Sequence, residues 1–464
     1  MTVMRTRARW QRLIPLALAI FLMGAGGARP PLLDAARNPD SDAVRTLIKQ
    51  GADVNATEGD GTTALHWASY REDVESAELL IRAGAKVNAA NDLGATPLWT
   101  ACLNGSEALV RTLLAAGANP NAALLLGETP AMVASRTGNP AVVEMLLAKG
   151  ANVNARAARG QTALMWAVAQ NHPEVVKVLL AHGADVHARS DAWSQVMAVS
   201  PHGYLDYNRS VPHGSDTALL FAARVGDLTS AKLLVAAGAN VNDADAWGIS
   251  ATVLAAHSGY RDFVEFLLEN GADANAAKAG FTALHEAIMR RDERTVSALL
   301  THGADPNAPL RTWTPTRRTS HDFNFEPELV GATPFWLAAR FTESNVMRLL
   351  VKYGADPLFV HHSDKVVDGR GGQAYEHRTQ VTTALMAAAG MGGGTAWVQP
   401  ERAEREALAL AAVKLAVELG VDVSAANTDG RTALDGAKAL KYDSVVAFLV
   451  EKGAKSGVAD KTNK

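Results

Sequence analysis

Apolar residues along this chain fall into two alternating kinds of short run, and the alternation itself repeats. Within 127–159, Ala131-Met132-Val133-Ala134 is a compact run of mostly small residues. Val142, Val143, Leu146 and Leu147 follow at the i, i+1, i+4, i+5 spacing of one buried helical face. Thr129-Pro130 opens the first helix, with Thr at the N-cap and Pro at the first helical position, and Gly138-Asn139-Pro140 ends it. The second helix spans about 141–149 and stops at Gly150, which supplies the positive φ a helix end requires. An extended stretch, Ala151-Asn152-Val153-Asn154-Ala155, leads to a turn before Gly160.

The closing glycine recurs at Gly51, Gly84, Gly117, Gly150, Gly183, Gly238, Gly271, Gly303, Gly354, Gly420 and Gly453, and its first four intervals are all 33 residues. A fixed period of this length marks stacked repeats. Two helices this short cannot bury enough apolar surface alone. They become stable when small first-helix residues permit close stacking and the second-helix leucines and valines fill the layer between neighbours.

The first helices open on Thr63-Ala64-Leu65-His66, Thr96-Pro97-Leu98-Trp99, Thr129-Pro130-Ala131-Met132, Thr162-Ala163-Leu164-Met165, Thr282-Ala283-Leu284-His285 and Thr333-Pro334-Phe335-Trp336. These openings resemble the Thr-Pro-Leu-His signature of ankyrin repeats. The resemblance runs over about residues 30–456 and implies an all-α ankyrin-repeat solenoid of about eleven helix-turn-helix repeats with β-turn fingers. It also implies that Thr and His hold the turn by hydrogen bonds. Only His66 and His285 stand at that His position, with Trp99, Met132, Met165 and Trp336 elsewhere.

The period breaks four times. Gly183 to Gly238 is 55 residues and Gly303 to Gly354 is 51, so each interval carries extra chain. Gly354 to Gly420 is 66, and the openings at Thr383 and Thr432 divide that excess between two places. The chain is thus read as a signal segment at 1–28 and repeats at 29–189, a cap plus four. A finger insertion at 190–214, repeats at 215–307 and a finger insertion at 308–330 follow. C-terminal repeats at 331–456 carry insertions at about 358–381 and 390–402, and a disordered tail occupies 457–464.

Residues 1–28 depart from the pattern. Arg5, Arg7, Arg9 and Arg12 precede the apolar run 13–23, and small residues follow at 24–28. That order reads as a secretory signal peptide, and the run is short for a membrane span. The expectation is an exported protein of bacterial type, in the periplasm or outside the cell, with no stable membrane span after cleavage. Of the 464 residues 48% are hydrophobic and 20% charged, with a formal net charge of −3, which argues against a nucleic-acid partner. Cys102 is the single cysteine and falls in a small-residue helix face, so an intramolecular disulfide and a Cys-based zinc site are excluded.

Function is expected in the insertions, since long loops on a rigid scaffold are where binding concentrates. Trp193, Tyr204, Tyr207, Trp313, Phe323 and Phe325 stand there among Arg317, Arg318 and His321, the aromatic and arginine composition of interface hot spots. They are the candidate residues for a protein or peptide partner, with self-packing of the same loops as the competing reading. By the resemblance, a partner would meet the concave first-helix face and the finger tips.

Neither cofactor nor catalytic residues are expected. The alternative is a metal-binding or hydrolytic accessory role for His361, His362 and His377, whose spacing matches no ligand motif. His285-Glu286-Ala287-Ile288-Met289 begins like a zincin helix, but Met289 stands where a second His is required.

Overall fold

The computed structural model describes residues 30–198, 208–314, 323, 325–367 and 375–457. Residues 1–28, read above as a signal segment, and 458–464 of the expected tail lie outside them. The chain divides into two compact units, 1–158 and 159–464, and 22 α-helices run through the described residues.

The first unit holds four helix-turn-helix pairs. They are α1 Pro31–Arg37 and α2 Ser41–Lys49, α3 Ala64–Tyr70 and α4 Val74–Arg82, α5 Pro97–Asn104 and α6 Glu107–Ala115, and α7 Pro130–Thr137 and α8 Pro140–Ala148. First helices pack on first helices in one layer and second helices on second helices in another. Ala64, Leu65, Ala68, Leu98, Ala101, Cys102 and Met132 are buried in the first layer, and Leu80, Leu113 and Leu146 in the second.

Local chemistry sets the ends of these helices. The Oγ1 of Thr96 and Thr129 accepts the N–H of Trp99 and Met132 at 3.2 and 3.3 Å, and Asp40, Asp73 and Asn139 cap the second helices. A cap of this kind contributes about 1 kcal/mol. Where His66 is present it adds more. The Thr63 N–H donates to Nδ1 at 3.1 Å, so Nε2 carries the proton and donates to the Ala95 carbonyl at 2.9 Å in the next repeat. Burial lowers the pKa of His66 and keeps it neutral, as that arrangement requires.

At the far end, Gly117 and Gly150 take φ of 86° and 85°, and the N–H of the alanine that follows closes on Leu113 or Leu146 at 3.0 Å. That bond uses a main-chain N–H, so it requires only that the residue after the closing glycine not be proline.

One asparagine per finger then ties each repeat to the next. Asn88 Nδ2 donates to Gly117 O at 3.0 Å while its Oδ1 accepts the Asn119 N–H at 2.7 Å. Asn121 does the same with Gly150 O and Asn152 N–H, at 2.9 and 2.7 Å.

The second unit follows the same rules. Its pairs are α9 Ala163–Ala169 and α10 Pro173–Ala181, α11 Ala218–Val225 and α12 Leu228–Ala236, α13 Ala251–Ser258 and α14 Arg261–Glu269, and α15 Ala283–Met289 and α16 Glu293–Thr301. Then come α17 Pro334–Arg340 and α18 Ser344–Lys352, α19 Ala384–Ala388 and α20 Arg405–Glu418, and α21 Ala433–Leu440 and α22 Asp443–Glu451. Ser250 takes the Thr role at α13, accepting the Val253 N–H at 3.3 Å. Asn242, Asn275 and Asn307 continue the asparagine ties.

The all-α expectation needs one amendment. Two antiparallel hairpins stand in this unit, β1 Trp193–Ala198 with β2 Asn208–His213, and β3 Val360–Val367 with β4 Glu376–Thr383. Segments of this length, with β-branched residues such as Val196, Val211, Val360 and Val381, satisfy their own backbone by pairing.

Candidate partner-binding face

The base of the first hairpin is a polar clamp. Arg189 donates through Nη1 to the carbonyls of Ser215 and Ala244, at 2.9 and 2.8 Å, and pairs through Nη2 with Asp243 at 2.6 Å. Ser190 and Asp216 exchange two further hydrogen bonds at 3.0 Å. A fork held at three points fixes where the strands leave the scaffold.

On the strands, Trp193 lies opposite His213 with ring centroids 4.5 Å apart and the Arg159 guanidinium 5.5 Å from its centroid, yet it remains 42% exposed. Val196 is 70% exposed and Val211 is buried. Tyr204 and Tyr207 lie outside the described residues.

The segment 309–333 is closed by backbone bonds between Leu310 and Ala332 and, further out, between Thr314 and Phe325 at 3.0 Å. Its described aromatic residues turn inward. Phe325 is 0% exposed, with Phe281 at 4.9 Å and Trp397 at 6.4 Å, centroid to centroid. Phe323, partly buried, meets His257 at 4.3 Å and Phe281 at 5.1 Å.

Trp313 is 7% exposed. Val366 of β3 and Val330 pack against it. The guanidinium of Arg209, from β2, sits 4.2 Å from its ring centroid and donates to Thr312 Oγ1 at 2.7 Å. Trp313 therefore joins both hairpins. Arg317, Arg318 and His321 lie outside the described residues. Of the candidate partner residues that are described, Trp193 offers its ring to solvent, Phe323 does so in part, and Trp313 and Phe325 are committed to their own scaffold.

The three histidines of the second hairpin do not converge. His361 is buried, with its ring 4.3 Å from Trp336 and Nε2 3.0 Å from the Val330 carbonyl. His362, the next residue in the strand, points to the opposite face and is exposed, and His377 is 3.3 Å from Asp364. Among the described residues no three metal-capable side chains come together.

A strap formed by residues 389–400 crosses the first-helix layer of the unit. Arg340 donates to the carbonyls of Gly393 and Gly394 at 2.6 and 2.8 Å, Thr395 donates to Glu326, and the Trp397 N–H donates to Met289 O at 3.1 Å. Gly394 has φ of +70°, and a Cβ there would lie 2.4 Å from Leu329, so the close crossing requires glycine. Beneath the strap, His257 Nδ1 is 3.2 Å from Oε2 of the fully buried Glu286, between Phe323 and Trp397. Burial pushes the Glu286 carboxyl up, with His257 opposing.

The family model "Ankyrin repeats (3 copies)" matches residues 32–124, 119–190 and 219–309, more than half of the chain. The chain belongs to the ankyrin repeat family. A mitochondrial disaggregase of Bos taurus is 33% identical over 151 residues, 25% of this chain and 22% of that protein. An ankyrin repeat protein of Rickettsia felis is 34% identical over 104 residues, 20% of this chain and 46% of that protein. The chain thus spans less than half the length of either relative. The crystal structure of the human ASB11 ankyrin repeat domain is 32% identical with a TM-score of 0.43, covering 52% of this chain and 98% of that one.

Ankyrin repeats are in general protein-binding scaffolds without catalytic activity. In this ankyrin chain the residues that sequence reasoning missed are His257, Glu286 and Trp397 in the covered layer, and the finger leucines Leu125 and Leu126, 75% and 72% exposed. The leucines were legible. Leu124-Leu125-Leu126 stands where Asn91 and Asp245 in other fingers accept backbone N–H groups. The covered layer was not, because nothing in the repeat pattern says which later segment lies across it.

Proposed function

We propose that this chain is an exported, non-catalytic scaffold of about eleven ankyrin repeats that binds a protein or peptide partner. The four breaks in the period are read as inserted fingers and the contact surface as the part of the first hairpin around the exposed ring of Trp193. The observation that carries this reading is Trp193, an indole left 42% exposed on a strand whose base is clamped by Arg189. A large, rigid aromatic side chain presented from a fixed mount loses little entropy on binding.

The charge of the chain and its repeat class favour a protein over a nucleic acid. The arginine-led segment 1–28 favours export to a periplasm or beyond the cell.

The test uses residues 29–464 as bait in the exported fraction of the native host, beside a second bait carrying Trp193→Ala. A partner held by the first bait, released by the second, and binding the purified chain with a defined Kd supports the reading. Equal capture by both baits removes the hairpin from it. An intact 1–28 segment on mature protein recovered from the cytoplasm removes the export.

A further inference from the structure

At the turns joining first to second helices, the second unit gathers several arginines, among them Arg261, Arg290, Arg291 and Arg340. A cavity of about 190 Å³ lies between the α15–α16 turn, the α17–α18 turn, the strap and the start of α20. Arg291, Arg340 and Arg405 all line it, and among the described residues no aspartate or glutamate does.

Each guanidinium is held by main-chain carbonyls. Arg340 reaches Gly393 and Gly394 at 2.6 and 2.8 Å, Arg405 Nε reaches Pro400 at 3.2 Å, and Arg291 Nη1 reaches Phe341. These contacts orient the forks without neutralising them. A guanidinium has five N–H donors, so donors remain on all three.

Glu343 and Glu326 act on two of these arginines. Glu343 acts on Arg291, but burial, against the pull of Arg291, pushes its carboxyl up to about 8, so it is mostly uncharged at neutral pH. Glu326 acts on Arg340 and accepts both the N–H and the hydroxyl of Thr395, at 3.2 and 2.8 Å. Three guanidiniums therefore line one cavity whose wall, among the described residues, holds no carboxylate.

We propose that this cavity binds the phosphoryl group of a small phosphomonoester. Planar forks pair with tetrahedral oxyanions through parallel N–H···O bonds, and three cations select a dianion over a monocarboxylate. Phe341 and Leu440 give the same cavity an apolar wall for the carbon part of the ester. This site is separate from the hairpin surface, so either reading can fail without the other.

The test titrates the full chain in low-salt, phosphate-free buffer with glycerol 3-phosphate, inorganic phosphate and lactate, by calorimetry. One saturable site for glycerol 3-phosphate is expected, with lactate weaker by about tenfold or more. Binding should weaken as pH falls below about 6, where the ester takes up a proton.

Arg405 is exposed, so Arg405→Gln should leave the melting temperature in place while weakening binding about tenfold, and Arg405→Lys should restore only part of it. Arg294→Gln, on the neighbouring surface, should change nothing. No saturation at millimolar glycerol 3-phosphate, or binding indifferent to Arg405→Gln, overturns the proposal. Equal affinity for inorganic phosphate overturns the ester assignment.

Discussion

Trp313→Ala tests the claim that one indole supports both hairpins. The side chain is 7% exposed, packed by Val366 and Val330, with Arg209 4.2 Å from its ring centroid. Removing a buried tryptophan costs about 3–5 kcal/mol through lost burial and the cavity left behind. The exposed Arg209 contact adds about 0.5–1 kcal/mol. In a repeat array that loss falls on neighbouring units rather than on the whole chain, so a local probe is the right assay.

Native-state hydrogen exchange of β1–β2 and β3–β4 should quicken about a hundredfold, the equivalent of roughly 3 kcal/mol. Exchange in α3–α6 should be unchanged. Arg209→Ala alone should loosen β1–β2 less than tenfold, and the double variant should show non-additive coupling between the two sites. Strand exchange in Trp313→Ala equal to the parent would refute the reasoning and return Trp313 to the pool of partner contacts.

Two further outcomes follow from other parts of the fold. Asn121→Ala removes the ties to Gly150 O and Asn152 N–H, at 2.9 and 2.7 Å, and should lower stability against urea by about 1–2 kcal/mol. Asn121→Asp keeps the acceptor and should fall between; no loss in either would show the tie to be idle. Glu343 titrates at about 8 when folded, above its ordinary 4.5, so the folded chain holds more protons across that window and stability falls as pH rises through it. His285, lowered to about 4 by burial, acts in the opposite sense between about 4 and 6.5. The difference between parent and Glu343→Gln isolates the glutamate: it should grow with pH up to about 8, and a flat difference in chemical denaturation would contradict the assigned burial.

The repeat grammar belongs to short-range sequence. Thr96 and Thr129 cap the next turn because a hydroxyl three residues before a free N–H has nowhere better to go. Gly117 and Gly150 end helices because the left-handed region suits them, and the main-chain N–H of the next residue closes on a leucine carbonyl. Each of these bonds spans a few residues, so a single copy of the motif displays it.

Even the asparagine ties, which link residues about one period apart, are written into the repeat, since period and stacking fix the partner. Trp313, Phe325 and Trp397 obey no such rule. Their positions depend on where an aperiodic segment returns across the stack, and Arg209 meets Thr312 across 103 residues of chain. An aromatic residue in a long loop has the same composition whether it faces a partner or its own helices. Sequence alone determined the stack; the path of the intervening segments decided that Trp193 stays open, that Trp313 and Phe325 are enclosed, and that three arginines separated along the chain share one cavity.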